Sequence, residues 1–146
     1  MKKIILLVIT LLTIYGFYGF KIHNETALEN SNGIHFYKGT WKNALIEAKK
    51  QDKLIFLDVF ATWCGPCKKL KKTTFNDEKV GDFFNLNFIN IAINGESNEG
   101  RILMKKYGIK GYPSLLFVNF NGNLKTIKTG FHSSNRLINY GKKALN

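Results

Sequence analysis

The sequence predicts an α/β domain in which a central mixed β-sheet is covered by helices on both faces. Leu54 to Phe60 is apolar at every position except Asp58. A run this short and β-rich, without alternation, fits a strand buried on both faces at the centre of a sheet. Strand-like and helix-like segments alternate through the middle of the chain. Two further strand-like runs then flank Asn121-Gly122-Asn123, whose Asn-Gly pair is a turn signal, before a last helical stretch.

Taken in order, Ile34 to Tyr37 is a short strand candidate that opens a domain over 34–146. Thr40 can cap a helix in which Trp41, Ala44, Leu45 and Ala48 recur at helical spacing, which makes Trp41 a core residue. The buried strand follows, then a helix that Pro66 can start, since proline in a first turn removes no needed N–H. Asp77 to Phe84 continues as helix or forms a second one. Asn87 to Ile93 is the next strand, and Ser97 to Tyr107 a helix carrying Ile102, Leu103 and Met104 and closed by Gly108. Leu115 to Phe120 and Leu124 to Lys128 form the hairpin. Ser133 or Ser134 can cap the final helix, with Leu137, Ile138, Tyr140 and Leu145.

Both cysteines lie in one motif, Trp63-Cys64-Gly65-Pro66-Cys67, where strand hands over to helix. A helix N-terminus offers unpaired N–H groups and a positive dipole end, which favour thiolate over thiol. Cys64 is therefore the expected attacking sulfur and Cys67, one turn inside, the resolving one. Residues at i and i+3 share a helical face, close enough for a disulfide. Half of a zinc site is the competing reading, but His23, His35 and His132 are too scattered to supply the other ligands. A purely structural bridge across so short a loop would restrict the unfolded chain little. Asp58 stands inside the buried strand, where a carboxylate has to be paired or neutral. It is read as the proton acceptor for Cys67, against an alternative in which it tips to an edge or meets a lysine.

These residues resemble the thioredoxin-like superfamily: the five-residue motif, Asp58 six residues before Cys64, and Gly111-Tyr112-Pro113-Ser114, which resembles the loop holding a cis-proline beside the disulfide. Thr74-Phe75-Asn76-Asp77 and Lys128-Thr129-Gly130-Phe131 are similar to the periplasmic C-terminal domain of transmembrane thiol:disulfide interchange reductases. The resemblance implies a thioredoxin-like fold and protein thiol and disulfide substrates. It implies no cofactor beyond a redox-active Cys64-Cys67 disulfide, and no metal. Trp63, Gly65, Pro66, Tyr112 and Pro113 would form the substrate-binding rim. Tyr112 would be the variable contact, or else a tyrosine packed under its loop. Family members commonly carry a lysine on the next strand near the buried aspartate; rough spacing puts Ile89 or Asn90 there.

Met1-Lys2-Lys3 and the uncharged run Ile4 to Phe20 indicate export. The run lies between a signal-peptide core and a full membrane span. Tyr15, Phe17, Tyr18, Phe20 and Lys21 resemble an interfacial belt, so an uncleaved anchor over 1–20 is favoured over a cleaved signal peptide, with 21–33 a polar tether. The expected place is extracytoplasmic, in the periplasm or on the outer face of the cytoplasmic membrane, anchored or secreted.

The 146 residues are 45% hydrophobic, which excludes global disorder, and the formal charge is +12. No nucleic-acid motif accompanies that charge, and Lys68, Lys69, Lys71 and Lys72 read as a solvated helix face; His132 reads as a surface residue. The expected function is an extracytoplasmic oxidoreductase that reduces protein disulfides, supplied by a membrane-bound electron donor. A redox-independent binding or chaperone module, or a disulfide oxidase, is the alternative; serine in place of both cysteines would separate module from enzyme.

Overall fold

The computed structural model describes residues 32–146. The anchor and nearly all of the tether fall on residues 1–31, outside the described residues. Among the described residues, no helix is long and apolar enough to cross a membrane.

The elements are α1 (Trp41–Gln51), β1 (Leu54–Phe60), α2 (Gly65–Lys72), a 3-10 turn (Thr74–Asn76), α3 (Glu78–Asn87), β2 (Phe88–Asn94), α4 (Asn98–Tyr107), β3 (Ser114–Val118), β4 (Leu124–Thr129) and α5 (Ser134–Leu145). The four strands lie in the order β2-β1-β3-β4. β1 pairs parallel with β2 and antiparallel with β3, which pairs antiparallel with β4. The sheet is therefore mixed, with the motif-bearing strand inside it.

Alternate residues of β1 feed two cores. Ile55, Leu57 and Val59 pack with Trp41, Ala44 and Ala48 of α1 and Leu103 of α4. Phe56 faces the other side, with Leu70, Val80, Phe84, Phe117 and Leu137, so α2, α3 and α5 cover that face. Phe56 lies edge-on to Phe84 at 4.7 Å and beside Phe117 at 5.4 Å between ring centroids. This explains the missing alternation in the sequence: both faces of β1 are interior.

Helix ends follow their capping chemistry. Thr40, Asp77 and Ser97 each accept a backbone N–H three residues on, and Gly108 closes α4 in the left-handed conformation at φ 63°. Asp77 to Phe84 is thus not a continuation of α2: a 3-10 turn intervenes, and Asp77 caps a new helix.

Three expectations change. Ile34 to Tyr37 is extended but joins no sheet: Tyr37 N–H reaches the Asn90 carbonyl at 2.7 Å, and Ile34 N–H turns instead to that of Phe75, also at 2.7 Å. The hairpin loop is longer than Asn121-Gly122-Asn123, because β3 ends at Val118 and Asn119 joins the loop: its side-chain oxygen accepts the N–H groups of Asn121 and Asn123, and the β3–β4 register shifts at Phe117/Val118. Ser133 occupies the N-cap position of α5 without a side-chain bond, while the Ser134 hydroxyl donates to Asp77 at 2.8 Å.

Phe56→Ala should lower stability by about 3–5 kcal/mol, read from urea unfolding, because it empties the centre of the aromatic cluster.

Candidate functional site

The β1–α2 junction carries the site. Cys64 is the N-cap of α2, and its sulfur accepts the Cys67 N–H at 3.1 Å; Pro66 lies in the first turn. Cys64 and Cys67 are joined in a disulfide with 5.3 Å between their Cα atoms. The helix end thus directs an N–H donor at Cys64, which would equally stabilise a thiolate there. Both cysteines are covered, at 2% and 7% exposure, whereas Gly65 and Pro66 are exposed and Trp63 is 65% exposed.

The Tyr112-Pro113 peptide bond is cis, and Tyr112 packs against the cysteine pair. The Pro113 carbonyl accepts the N–H of Gly130, whose φ of 92° suits glycine. Tyr112 is half-buried: its hydroxyl donates to the Met104 sulfur at 3.0 Å and its ring meets Trp63 edge-on at 5.9 Å. It is thus packed under the loop and also in contact with the rim. Burial, then the Glu96 charge, hold its hydroxyl above the usual phenol range.

Sequence reasoning missed Glu96, which accepts the Trp63 indole N–H at 2.8 Å and whose backbone carbonyl is bonded by Arg101. It also missed Gly95, where a Cβ would lie 2.5 Å from the Tyr112 ring. A polar loop of ordinary composition gives no signal of either.

Asp58 sits opposite Leu115 on β3 and Ala92 on β2, is 6% exposed, and has Oδ1 buried without a partner. Burial pushes its carboxyl up from 3.8 to about 7. The strand neighbour of Asp58 is thus Ala92, not Ile89 or Asn90: parallel pairing puts Asn90 beside Phe56 instead. No edge or lysine contact relieves the burial of Oδ1. A cleft of about 480 Å³, lined in part by Asp58, Cys67 and Ala92, opens beside them.

The two outlying motifs meet behind this site. The Thr74 hydroxyl donates to the His132 carbonyl at 2.8 Å, Lys69 lies over the Phe131 ring at 4.4 Å, and Thr129 and Ser114 hydroxyls are 3.3 Å apart. They tie the end of α2 to the strand beside the cis-proline. His132 is half-buried rather than fully exposed: both ring nitrogens are shielded and the ring is edge-on to Tyr140 at 5.1 Å. Burial lowers its pKa, opposed by the Thr129 backbone. Lys68, Lys69, Lys71 and Lys72 are exposed. Among the described residues, no group of three or more His, Cys, Asp or Glu could hold a metal.

A mixed sheet with a Cys-x-x-Cys disulfide at a strand-to-helix junction, faced by a cis-proline and backed by a buried aspartate, defines the disulfide site of a thiol:disulfide oxidoreductase. The family model of the thioredoxin-like domain matches residues 41–145, and the chain belongs to that family. The chain is 32% identical over 96 residues to the thiol:disulfide interchange protein DsbD of Yersinia pestis, covering 64% of this chain and 16% of that protein. With the DsbD of Haemophilus influenzae it shares 31% over 101 residues, covering 67% of this chain and 17% of that protein. The matched stretch thus spans about a sixth of these relatives. Among solved structures, a candidate disulphide-isomerase from Bacteroides thetaiotaomicron superposes with a TM-score of 0.70 at 41% identity, over 78% of this chain and 94% of that one. The oxidised C-terminal domain of Neisseria meningitidis DsbD gives 0.61 at 28%, over 70% and 91%.

Because the folded carboxyl of Asp58 titrates above its unfolded value, its contribution to stability is full below about 4 and is lost as pH rises through about 7. The oxidised protein should lose on the order of 4 kcal/mol from this group across that window, and Asp58→Asn should remove the dependence; urea unfolding at several pH values checks both. Thr74→Val, which strips the His132 carbonyl of its donor, should cost about 1–2 kcal/mol in the same measurement.

Proposed function

We propose that the domain reduces protein disulfides on the outer side of a membrane. The observation that carries this reading is the Cys64–Cys67 disulfide at the start of α2, with the Cys64 sulfur already accepting a helix N–H beside cis-Pro113. In the reduced state the Cys64 thiolate attacks one sulfur of a substrate disulfide. A mixed disulfide forms and the first substrate thiolate leaves. Cys67 passes its proton to Asp58, and its thiolate attacks the Cys64 sulfur. The second substrate thiolate leaves, two electrons have moved to the substrate, and Cys64–Cys67 is oxidised.

Trp63, Gly65, Pro66, Tyr112 and Pro113 would form the rim over which the substrate approaches. With the Pro113 carbonyl held by Gly130, backbone contact to an extended substrate falls to Tyr112. The Gly65-Pro66 pair resembles that of reducing thioredoxins, and the similarity to DsbD proteins supports an interchange role with electrons supplied from a membrane-bound donor. The apolar run Ile4 to Phe20 supports an extracytoplasmic setting, with anchorage through 4–20 if it is retained.

Equilibration of the full chain in glutathione or dithiothreitol buffers tests the direction: a potential near about −270 mV supports the reductase, and one near about −120 mV makes it an oxidant. Cys64→Ser should abolish turnover, while Cys67→Ser should accumulate a mixed disulfide with substrate, visible as an adduct by mass spectrometry without reductant.

A further inference from the structure

The cleft behind the disulfide has an unusual charge arrangement. Its lining includes Asp58 and Phe60 of β1, Cys67, Lys68 and Lys71 of α2, Phe36 of the extended segment, Phe75 of the 3-10 turn, and Ala92 of β2. β2 and β3 meet Asp58 with Ala92 and Leu115, neither of which can offer a charge. Lys68 and Lys71 are the cations of the lining, and Asp58 is its carboxyl group. Lys71 lies four residues after Cys67 and three after Lys68, so its side chain neighbours both on the surface of α2.

We propose that Lys71, assisted by Lys68, is the counter-cation of Asp58: it reaches across the cleft from α2 and stabilises the carboxylate that Asp58 has to be before it can take the Cys67 proton and become neutral. The inference rests on the proton role given to Asp58 above. A buried carboxylate with an unpartnered oxygen is poorly stable as an anion, and burial alone holds it protonated to about pH 7. A cation nearby favours the ionised form. β2 supplies none, the cleft is open, and the lysines on its lining are exposed and long enough to swing inward. The two lysines are positioning residues: they touch no reacting sulfur and act through Asp58.

The test uses the reduced full chain and dithiodipyridine, an uncharged disulfide whose release of pyridinethione is followed in two phases. The first reports attack by Cys64, the second resolution by Cys67. Lys71→Gln should raise the pH midpoint of the second phase by at least about half a unit more than Lys72→Gln, which removes the same charge from the same helix outside the cleft. Lys68→Gln should give a smaller shift of the same sign, and Lys71→Gln should add no shift in an Asp58→Asn background. A midpoint that moves no further for Lys71→Gln than for Lys72→Gln overturns the proposal, as does a Lys71 effect that persists without the carboxyl. If Asp58→Asn alone leaves the wild-type midpoint unmoved, the proton role of Asp58 is itself wrong and the lysine assignment falls with it.

Discussion

A carboxyl group inside a central strand has to be neutral or paired, and Asp58 meets that constraint at the point where sheet, helix and cleft join. The strands on either side give it only Ala92 and Leu115. It therefore stays protonated to near neutrality, next to a pair of cysteines whose chemistry turns on one proton. Once ionised, near neutral pH, a carboxylate held in this way is a stronger base than an ordinary one.

The rest of the site keeps that buried carboxyl group, the disulfide and the cis-proline in register. The sulfur of Cys64 fixes the first turn of α2. Thr74, bonded to the His132 carbonyl, and Lys69, over Phe131, fix the far end. Gly130 and Thr129 hold the strand that carries Pro113 and Ser114. The two short motifs distant from the cysteines thus act together as a brace, joining the helix that bears the thiols to the loop that faces them. On the open side, the rim is equally built: Glu96 holds the Trp63 indole, Met104 receives the Tyr112 hydroxyl, and Gly95 leaves room for the Tyr112 ring.

Placing the aspartate's neighbours shows how sensitive such a site is to register. On a parallel pair, moving the pairing by two residues keeps the same face toward the core but changes which side chain meets Asp58. Spacing along the chain pointed to Ile89 or Asn90. Pairing puts Ala92 there and leaves Asn90 buried beside the extended segment, bonded to His35 and Asn85. The small Ala92 side chain lines the cleft beside Asp58, together with Lys68 and Lys71 of α2.

The sequence by itself determined the elements whose causes are local. The apolar run of β1, the caps Thr40 and Gly108, the proline that starts α2 and the spacing of the two cysteines all act within a few residues, so pattern and propensity were enough to read them. The same is true of Asp58 as an anomaly, since a charge in an apolar run is visible without coordinates. Tertiary structure decided everything that depends on residues far apart in the chain: Ala92 beside Asp58, Glu96 on Trp63, Thr74 on His132, and the failure of Ile34 to Tyr37 to join the sheet. His132 shows the difference most plainly. Its neighbours in sequence suggest an exposed loop, yet Tyr140, one element later, packs edge-on against its ring, and both ring nitrogens are shielded from water. Contacts of this kind are set by how helices and strands pack, and packing is a property of the whole chain rather than of any stretch within it.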